Sequence, residues 1–397
     1  MKRVAMISVH ECPLASSEGK ERGGINVYTF ELSKALARLG WQVDAFTRIQ
    51  DDVNPRIVAV NENFRVIHLP NGPHTRLSKK DILANIPEFT KALAPYITRY
   101  DVIHAQYYLS GVVANQFPTP WVMTFHTLGL MKQLVARGSI EDPEERISLE
   151  RKLASNAYTI ITASDAGREY LAAMYDAKPE NMVTIPPGVD TTLFHPIDKA
   201  TAKRHIHADP NHRVVLAVGR IDPVKGFDVL LVALKMLIKK NPDLTDRVCL
   251  WIVGGDVEQD KALWSRELKK LDMLRNMLNL TATVRFVTAQ SQEELPYYYN
   301  AADVLVMPSH YESFGMVALE AIACGTPVIA TDVTGISSVL KDLPGSHIVS
   351  ANNPIALSAE IAHVLDKQHS PSVMPLNNFT WDAVAKRVAK VYKAAVL

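Results

Sequence analysis

The chain has 397 residues, of which 47% are hydrophobic and 21% charged, and its formal net charge is +1. These values are ordinary for a globular protein of roughly two to three domains, and they give no general electrostatic attraction to nucleic acid or anionic membranes. Cys12, Cys249 and Cys324 are widely spaced, which disfavours a disulfide framework and a cysteine zinc site. No apolar run reaches transmembrane length. We therefore expect a cytoplasmic protein that acts on small molecules.

The first half of the chain alternates short β-rich runs with helical stretches. Such alternation predicts a parallel sheet that is covered by helices on both faces. In chain order, the predicted elements are strand 4–9, helix 25–39 and strands 42–46, 101–104, 121–125 and 159–162.

A second series of strands follows a polar, proline-punctuated stretch at about 186–211, which we interpret as the crossing between two domains. Its predicted strands are 213–218, 248–253, 284–286, 304–307 and 328–330. Thr380 can cap a final helix that runs to about Ala395. The predicted fold class is α/β, with two doubly wound domains that face a central cleft. The predicted boundaries are 1–190, 191–375 and 376–397, the last being a helix that packs back on the first domain.

Several common motifs are absent from the sequence. No two glycines are separated by a single residue, so the G-x-G-x-x-G loop of a dinucleotide-binding dehydrogenase is excluded. The stretch from Gly19 to Gly24 has the glycine spacing of a Walker loop but lacks its Lys-Ser/Thr pair. Neither D-x-D nor H-E-x-x-H occurs, which favours a mechanism without a metal cofactor.

Two glutamates that stand eight residues apart, Glu312 and Glu320, bracket the most informative segment. A buried strand leads into the loop of Glu312, and Gly315 opens an apolar helix. The backbone N–H groups of Gly315, Met316 and Val317 can receive a diphosphate at that helix start. The carboxylates would lie about 12 Å apart if the whole stretch were helical, which suits opposite ends of one ligand. The pattern indicates a sugar nucleotide; the alternative is an amphipathic helix with two solvated glutamates.

Two cations, Arg220 and Lys225, lie in the loop after the first strand of the second series. They can neutralise the diphosphate of a departing nucleotide, and each charge-assisted hydrogen bond contributes roughly 1.5–3 kcal/mol. Their position at the carboxyl end of a strand favours this function over the alternative of two solvated loop charges.

The first half supplies two weaker signals. Gly23 and Gly24 stand where a strand turns into a helix, and small residues there let the backbone approach a ligand closely. His126 ends another strand, which makes it a candidate for polar contact with a substrate. Paired glycines often serve only a tight turn, however, and a lone histidine is usually structural.

With these residues assembled, the chain resembles the retaining glycosyltransferases of family four, which have the GT-B fold of two Rossmann-like domains. The resemblance spans essentially the full length. It points to the branch that contains sucrose-phosphate synthases and the inositol-phosphate N-acetylglucosaminyltransferase of mycothiol synthesis. The segments that carry it are 8–14, 23–28, 46–48, 104–111, 125–128 and 308–330.

The resemblance implies a role for each candidate residue on the donor side. Glu312 would hold hydroxyls of the donor sugar, Glu320 would hold the ribose, and His126 would contact the sugar near the reacting carbon. The implied catalytic residues are His126, Arg220, Lys225 and Glu312. The implied donor-binding residues are Gly23, Gly24, Asn26, Gly315, Met316, Val317 and Glu320.

The resemblance also implies an acceptor site in the first domain, formed by Lys79, Tyr107, Thr127 and Arg146. Two cations and two hydroxyls suit a dianionic phosphate. The alternative places Lys79 in the solvated run 76–80 and pairs Arg146 with Glu150 on a helix surface. Glu21-Arg22 departs from the pattern of the branch, which commonly has an aspartate and a small residue before the glycines.

The implied reaction moves a hexosyl unit from a nucleoside diphosphate sugar, with uridine as the favoured base, to a small polyol or sugar acceptor with retention at the anomeric carbon. No cofactor is expected, because the protein mainly positions the substrates and neutralises the diphosphate. A nucleotide-sugar epimerase and a non-catalytic nucleotide-sugar-binding protein are the alternatives. For the oligomeric state, the sequence is compatible with both a monomer and a homodimer.

Overall fold

The computed structural model describes residues 2–14, 23–135, 143–258, 260–313, 315–333, 335–341, 343–367 and 376–396. Within these residues the strands form two separate sheets, one in each half of the chain, with helices between most successive strands. The prediction of an α/β protein with two doubly wound halves is confirmed.

The first sheet contains eight strands in the described residues. They are β1 (Arg3–Ile7), β2 (Gln42–Arg48), β3 (Ile57–Asn61), β4 (Phe64–Leu69), β5 (Val102–Gln106), β6 (Trp121–Thr124), β7 (Thr159–Thr162) and β8 (Met182–Thr184). The order across the sheet is β3-β4-β2-β1-β5-β6-β7-β8. The helices of this half are α1 (Gly24–Arg38), α2 (Lys79–Ala84), α3 (Ile86–Ile97), α4 (Tyr107–Ala114), α5 (Gly129–Val135), α6 (Pro143–Asn156) and α7 (Asp165–Tyr175).

The second sheet contains six strands in the described residues. They are β9 (Arg213–Val218), β10 (Val248–Val253), β11 (Val284–Val287), β12 (Val304–Met307), β13 (Val328–Thr331) and β14 (Ser346–Val349), in the order β11-β10-β9-β12-β13-β14. The helices are α8 (Lys199–His205), α9 (Phe227–Lys240), α10 (Arg266–Met277), α11 (Leu295–Ala301), α12 (Met316–Ala323), α13 (Ile336–Leu340), α14 (Pro354–Asp366) and α15 (Trp381–Val396).

Both sheets are buried on their two faces. Alternate residues of β1 enter different hydrophobic clusters: Ala5 and Ile7 belong to one, and Val4 and Met6 to the other. Successive side chains of a strand point to opposite faces, so the continuous apolar run at 4–7 records a strand that is covered on both sides. The same division holds in β9, where Leu216 and Ala217 belong to different clusters.

The last helix returns to the first half of the chain. Ala383 N donates to the Oγ1 of Thr380, as the predicted cap requires, and the apolar face of α15 is buried. Tyr392 reaches His104 of β5, with 2.6 Å between the hydroxyl oxygen and Nδ1. Arg38 of α1 pairs with Asp382 at 2.6 Å. The final helix therefore fastens the end of the chain to the first sheet.

The remaining differences from the sequence prediction lie at the sheet edges. Strands β3, β4, β8 and β14 are absent from the predicted elements. β3 also runs antiparallel to β4, so the first sheet is mixed rather than wholly parallel. Residues of β3 alternate between exposed and half-buried, although the first four residues of this strand are apolar. None of the described helices is long and apolar enough to cross a membrane.

Candidate active site

The segment with two glutamates folds as strand, loop and helix start. Strand β12 ends at Met307, Glu312 lies in the following loop, and α12 begins at Met316. Gly315 precedes the helix with a φ of 65°, and a Cβ at this position would lie 1.8 Å from the Cδ1 of Ile336. Only glycine fits this left-handed, crowded position. The turn therefore presents the backbone amides at the start of α12 beside Glu312.

Glu312 connects the loop after β12 to the loop after β9, which contains Lys225. Its Oε2 accepts a hydrogen bond from the Nζ of Lys225 at 2.6 Å, and its Oε1 lies 3.5 Å from the backbone nitrogen of Gly315. The backbone N–H of His310 donates to the carbonyl of Val224 at 2.8 Å, which ties the same loops together. The structure thus brings Lys225, Glu312 and the start of α12 into one cluster.

Glu320 lies on the buried side of α12. Its Oε2 accepts a hydrogen bond of 2.6 Å from the hydroxyl of Tyr299. It also lines a cavity of about 360 Å³ between α1, the chain crossing near Asp190 and α12. The grip of Glu312 and Glu320 on opposite ends of one ligand stays a prediction.

His126 lies across the cleft from the Glu312 loop. Its side chain is buried, and Nε2 lies 2.7 Å from the Oε1 of Gln106. Burial, with His104 nearby, lowers the pKa of His126 well below its usual value, so the ring is neutral. The backbone φ of His126 is 62°, a strained conformation for a non-glycine residue that is typical of functional sites. Both His126 and Ser313 line a cavity of about 60 Å³.

The predicted glycine loop contacts the second domain. A Cβ built on Gly24 would lie 3.0 Å from the Cε of Met316, which stands at the start of α12. Asn26 is buried, and both ends of its amide bond within the chain: Oδ1 accepts from Gly23 N at 2.9 Å, and Nδ2 donates to the carbonyl of Cys12 at 2.8 Å. Asn26 therefore fixes the glycine turn that meets α12.

The predicted acceptor residues also come together. Arg146 is buried, and its NH2 group donates to the carbonyl oxygen of Thr127 at 2.8 Å and to Thr127 Oγ1 at 3.2 Å. Its guanidinium lies 5.0 Å from the ring centre of Tyr107, and the Nζ of Lys79 lies 5.6 Å from the same ring. The hydroxyl of Tyr107 has no hydrogen-bond partner within the described residues.

The alternative for Arg146 was a surface pair with Glu150. The pair exists, with 2.7 Å between Arg146 Nε and Glu150 Oε1, but both side chains are buried. Glu150 also accepts hydrogen bonds from Gly129 N and the hydroxyl of Tyr175. The pair therefore belongs to the interior of the site. Lys79 is exposed, as its alternative expects, yet it lies against Tyr107. Glu21-Arg22 lies outside the described residues.

Sequence reasoning missed Lys132 of α5. Burial first, then the charges of Lys79, Arg220 and Arg146, lowers the pKa of Lys132 to about 8. Lys132 therefore interacts electrostatically with two of the predicted acceptor cations, Lys79 and Arg146, and with the exposed Arg220 of the second domain. No motif marks it, because its neighbours come from distant parts of the chain. We refer to Lys79, Tyr107, Thr127, Lys132 and Arg146 as the acceptor cluster.

Comparison with known proteins agrees with this geometry. The description "Glycosyl transferase 4-like domain" matches residues 23–188, and "Glycosyl transferases group 1" matches residues 198–380. The D-inositol 3-phosphate glycosyltransferase 2 of Catenulispora acidiphila is 35% identical over 411 residues, covering 100% of this chain and 95% of that relative. The chain is a family-four glycosyltransferase of the GT-B fold.

Two solved structures are similar to this glycosyltransferase. The sucrose-phosphate synthase from Thermosynechococcus elongatus has a TM-score of 0.88 and 32% identity, and the match covers 99% of each chain. Anabaena HepE in complex with UDP-glucose has a TM-score of 0.76 and 17% identity, covering 99% of this chain and 100% of that one. The second likeness shows the shared fold.

The structure holds the candidate residues in two groups that face each other across the cleft. One contains Lys225, Glu312 and the start of α12; the other contains His126 and the acceptor cluster. Within the described residues, no three histidine, cysteine, aspartate or glutamate side chains are grouped as metal ligands. The individual roles of these residues in binding and catalysis stay predictions.

Proposed function

We propose that this glycosyltransferase moves a hexosyl unit from a nucleoside diphosphate sugar, with a UDP-sugar favoured, to a small phosphorylated polyol or sugar, with retention at the anomeric carbon. The proposal rests on one observation: two complementary groups of residues face each other across the cleft. A cation and helix amides suited to a diphosphate lie opposite a cluster of cations suited to a second phosphate. His126 and the Glu312 loop line the space between them.

The donor half of the proposal rests on the start of α12. Backbone amides, Lys225 and Arg220 can bind the diphosphate, while Glu312 and Glu320 can accept hydrogen bonds from sugar and ribose hydroxyls. The likeness in fold to HepE, which was solved with UDP-glucose, supports a uridine donor. Lys225 is already held at 2.6 Å from Glu312, so little rearrangement is needed to bring it to the ligand.

The acceptor half rests on charge. Lys79 and Arg146 lie over the ring of Tyr107, and Lys132 interacts electrostatically with both cations. Glu150 is the buried carboxylate that pairs with Arg146. An excess of cations beside a buried hydroxyl favours a dianion. The names of the relatives, D-inositol 3-phosphate glycosyltransferase and sucrose-phosphate synthase, support a phosphorylated partner for this chain.

In the proposed step, the bond between the anomeric carbon and the diphosphate oxygen breaks. The acceptor hydroxyl forms a new bond on the same face, and its proton passes to the departing diphosphate. The protein orients the two substrates and stabilises charge on the leaving oxygen. Arg220 and Lys225 supply the positive charge in this scheme, so we propose that no metal cofactor is required. Neutral His126 would contact the sugar without adding charge.

The test is a transfer assay over a panel of substrates. Purified protein is incubated with UDP-glucose, UDP-N-acetylglucosamine or GDP-mannose and with D-inositol 3-phosphate, fructose 6-phosphate or glucose 6-phosphate. Matched reactions contain the same acceptors without phosphate. We expect one UDP-sugar to glycosylate a phosphorylated acceptor with an α-linkage from an α-donor, read by NMR. The same reaction with added chelator tests the absence of a metal requirement.

Two outcomes would contradict the proposal. Equal transfer to phosphorylated and unphosphorylated acceptors would show that the enzyme does not recognise an acceptor phosphate. A product with inverted configuration at the anomeric carbon would show that the enzyme is not retaining. Interconversion of the donor sugar without any acceptor would instead support the epimerase alternative, which the relatives do not favour because they are named as glycosyltransferases. The wide spacing of the three cysteines supports the cytoplasm as the proposed compartment.

A further inference from the structure

The backbone at His126 makes a tight turn shortly after the end of β6. The backbone N–H of Thr127 donates to the carbonyl of Phe125 at 2.7 Å, and His126 between them has a φ of 62°. A three-residue turn that is closed in this way with a positive φ is the rare and strained form of the γ-turn. Such strain persists only where the surrounding structure fixes the conformation. The neighbours of the His126 side chain therefore decide how its ring is presented.

Two side chains from other elements hold the His126 ring. Tyr28 of α1 meets it edge to face, with 5.1 Å between ring centres and 82° between the ring planes. Gln106 is the last residue of β5 and stands opposite Thr124 in the pairing of β5 with β6. The Oε1 of Gln106 lies 2.7 Å from His126 Nε2, and both side chains are buried. The contact between Gln106 and His126 is therefore shielded from water.

The two ends of the Gln106 amide have different neighbours. Its Nε2 lies 2.9 Å from the Sδ of Met6 on β1. A thioether sulfur can only accept a hydrogen bond, so the NH2 end of the amide belongs at Met6 and the carbonyl end at His126. Because an amide oxygen carries no hydrogen, the Nε2 of His126 must supply the proton of this bond. Met6 thus sets the orientation of Gln106, and Gln106 sets the tautomer of His126.

The tautomer decides what His126 can offer to a ligand. Burial, with His104 nearby, lowers the pKa of His126 well below its usual value, so the ring is neutral. A neutral imidazole has one donor and one acceptor nitrogen. With the proton on Nε2, the acceptor is Nδ1, and an acceptor suits a sugar hydroxyl that donates. His126 lines the cavity of about 60 Å³ together with Tyr311 and Ser313 of the Glu312 loop.

We propose that Gln106 is a positioning residue, which holds the proton of His126 on Nε2 so that Nδ1 accepts a hydrogen bond from a hydroxyl of the donor sugar. The inference rests on the proposed function, in which His126 contacts that sugar. It adds the direction of the hydrogen bond and the residue that fixes this direction. Gln106 acts through His126 and does not itself touch the substrate.

The first test reads the tautomer directly. The protein is labelled with 15N-histidine, and two-bond 1H–15N correlation spectra distinguish a protonated from an unprotonated ring nitrogen. The signals of His126 are identified by their absence from the spectrum of His126→Phe. We expect a protonated Nε2 and an unprotonated Nδ1 in the wild type. Gln106→Leu should shift the proton towards Nδ1, because the acceptor of the Nε2–H bond is lost.

The second test measures the consequence for binding. Isothermal titration gives the affinities for UDP, UDP-glucose and UDP-N-acetylglucosamine. We expect Gln106→Leu to bind the preferred UDP-sugar about tenfold more weakly, because the hydrogen bond to the sugar is lost. Its affinity for UDP should equal that of the wild type. In a His126→Phe background, Gln106→Leu should cause no further loss, because the two residues act as a unit.

His104→Leu is the matched control. It also removes a buried polar side chain from β5, but the Nε2 of His104 lies 2.8 Å from Thr124 Oγ1 and not against His126. We expect this control to keep the Nε2–H tautomer of His126 and the wild-type ratio of UDP-sugar to UDP affinity. Thermal unfolding confirms that each variant is folded. Should Gln106→Leu not fold, the wild-type spectrum still decides the tautomer.

The proposal is overturned if wild-type His126 carries its proton on Nδ1. It is also overturned if Gln106→Leu weakens UDP and the UDP-sugar by the same factor, or if the losses of Gln106→Leu and His126→Phe add in the double variant. None of these measurements uses glycosyl transfer. A failure of the proposed reaction is scored separately in the transfer assay, so it is distinguishable from a failure of the role of Gln106.

Discussion

The donor and acceptor sides of the cleft differ in how their charges are balanced. On the donor side, Lys225 and Glu312 pair at 2.6 Å within two loops that are tied to each other. On the predicted acceptor side, Lys79 and Arg146 lie over the ring of Tyr107, and Arg146 pairs with the buried Glu150. The hydroxyl of Tyr107 and Nδ1 of His10 have no hydrogen-bond partner within the described residues. The predicted donor side thus holds its cation in a pair with a carboxylate, whereas the predicted acceptor side keeps polar atoms that are not used within the protein.

The largest expected effect comes from the buried pair of the acceptor side. Arg146→Met should lower the free energy of unfolding by about 3–5 kcal/mol, because it leaves the carboxylate of Glu150 buried without its ionic partner. Chemical denaturation measures this change. The matched double variant Arg146→Met/Glu150→Gln should recover most of the stability, yet it should still bind a phosphorylated acceptor weakly. If the double variant regained affinity, the pair would be structural and the acceptor assignment of Arg146 wrong.

The next effect tests the donor side. Lys225→Ala should lower turnover about 10²-fold or more, because one preorganised cation beside the leaving diphosphate is lost. Steady-state kinetics with saturating donor and acceptor gives the change in kcat. Lys225→Arg is the matched control, since it keeps the charge and should retain part of the activity. Wild-type turnover in the alanine variant would show that Glu312 and the helix amides bind the donor without Lys225.

A smaller effect tests whether Lys79 binds the acceptor or is only one of the solvated residues in the run 76–80. Lys79→Ala should weaken a phosphorylated acceptor about tenfold, because one charge-assisted hydrogen bond is lost. Lys80→Ala is the matched control, because it changes the charge equally one residue away. Isothermal titration decides between the two interpretations of this run. Equal effects of the two variants would mean that Lys79 acts only through the general field of the surface.

The smallest effect is a pH dependence on the acceptor side. A lysine loses its charge as the pH rises through its pKa, which for Lys132 is lowered to about 8 by burial and by Lys79, Arg220 and Arg146, with Asp222 opposing. A phosphate monoester is already a dianion there, since its second pKa is about 6. The KM for a phosphorylated acceptor should therefore rise a few-fold between about pH 7 and pH 9.

Two variants check the assignment of this pH dependence. Lys132→Arg keeps its charge throughout the range and should hold the KM near its low-pH value. Lys132→Met should hold the KM near its high-pH value. A wild-type slope in both variants would assign the titration to another group in the cleft.

The sequence could predict the strand, loop and helix start on the donor side because these residues are local. Gly315, the start of α12 and Glu320 follow one strand within a few residues, and a helix start after a buried strand has a known effect on anions. The strands β7, β9, β10 and β12 were predicted with their observed bounds for the same reason, since each is a continuous apolar run between polar segments. The edge strand β3 escaped prediction although its first four residues are apolar, and all of its residues are exposed or half-buried.

The acceptor side was predictable only in part. Family resemblance pointed to Lys79, Tyr107, Thr127 and Arg146, but nothing in the order of residues brought Lys132 to them. These residues come from the loop after β6 and from helices α2, α4, α5 and α6. The burial of the pair formed by Arg146 and Glu150 also came only from packing, because their spacing fits an exposed helix pair equally well.

The amino-acid order by itself thus determined two α/β halves and a strand, loop and helix start that can receive an anion, because apolar runs and helix termini act over a few residues. Tertiary structure alone decided which charges share the cleft. The electrostatic effect of a side chain depends on its distance from other charges and on its exclusion from water, and both arise only when parallel strands bring their carboxyl ends to one edge.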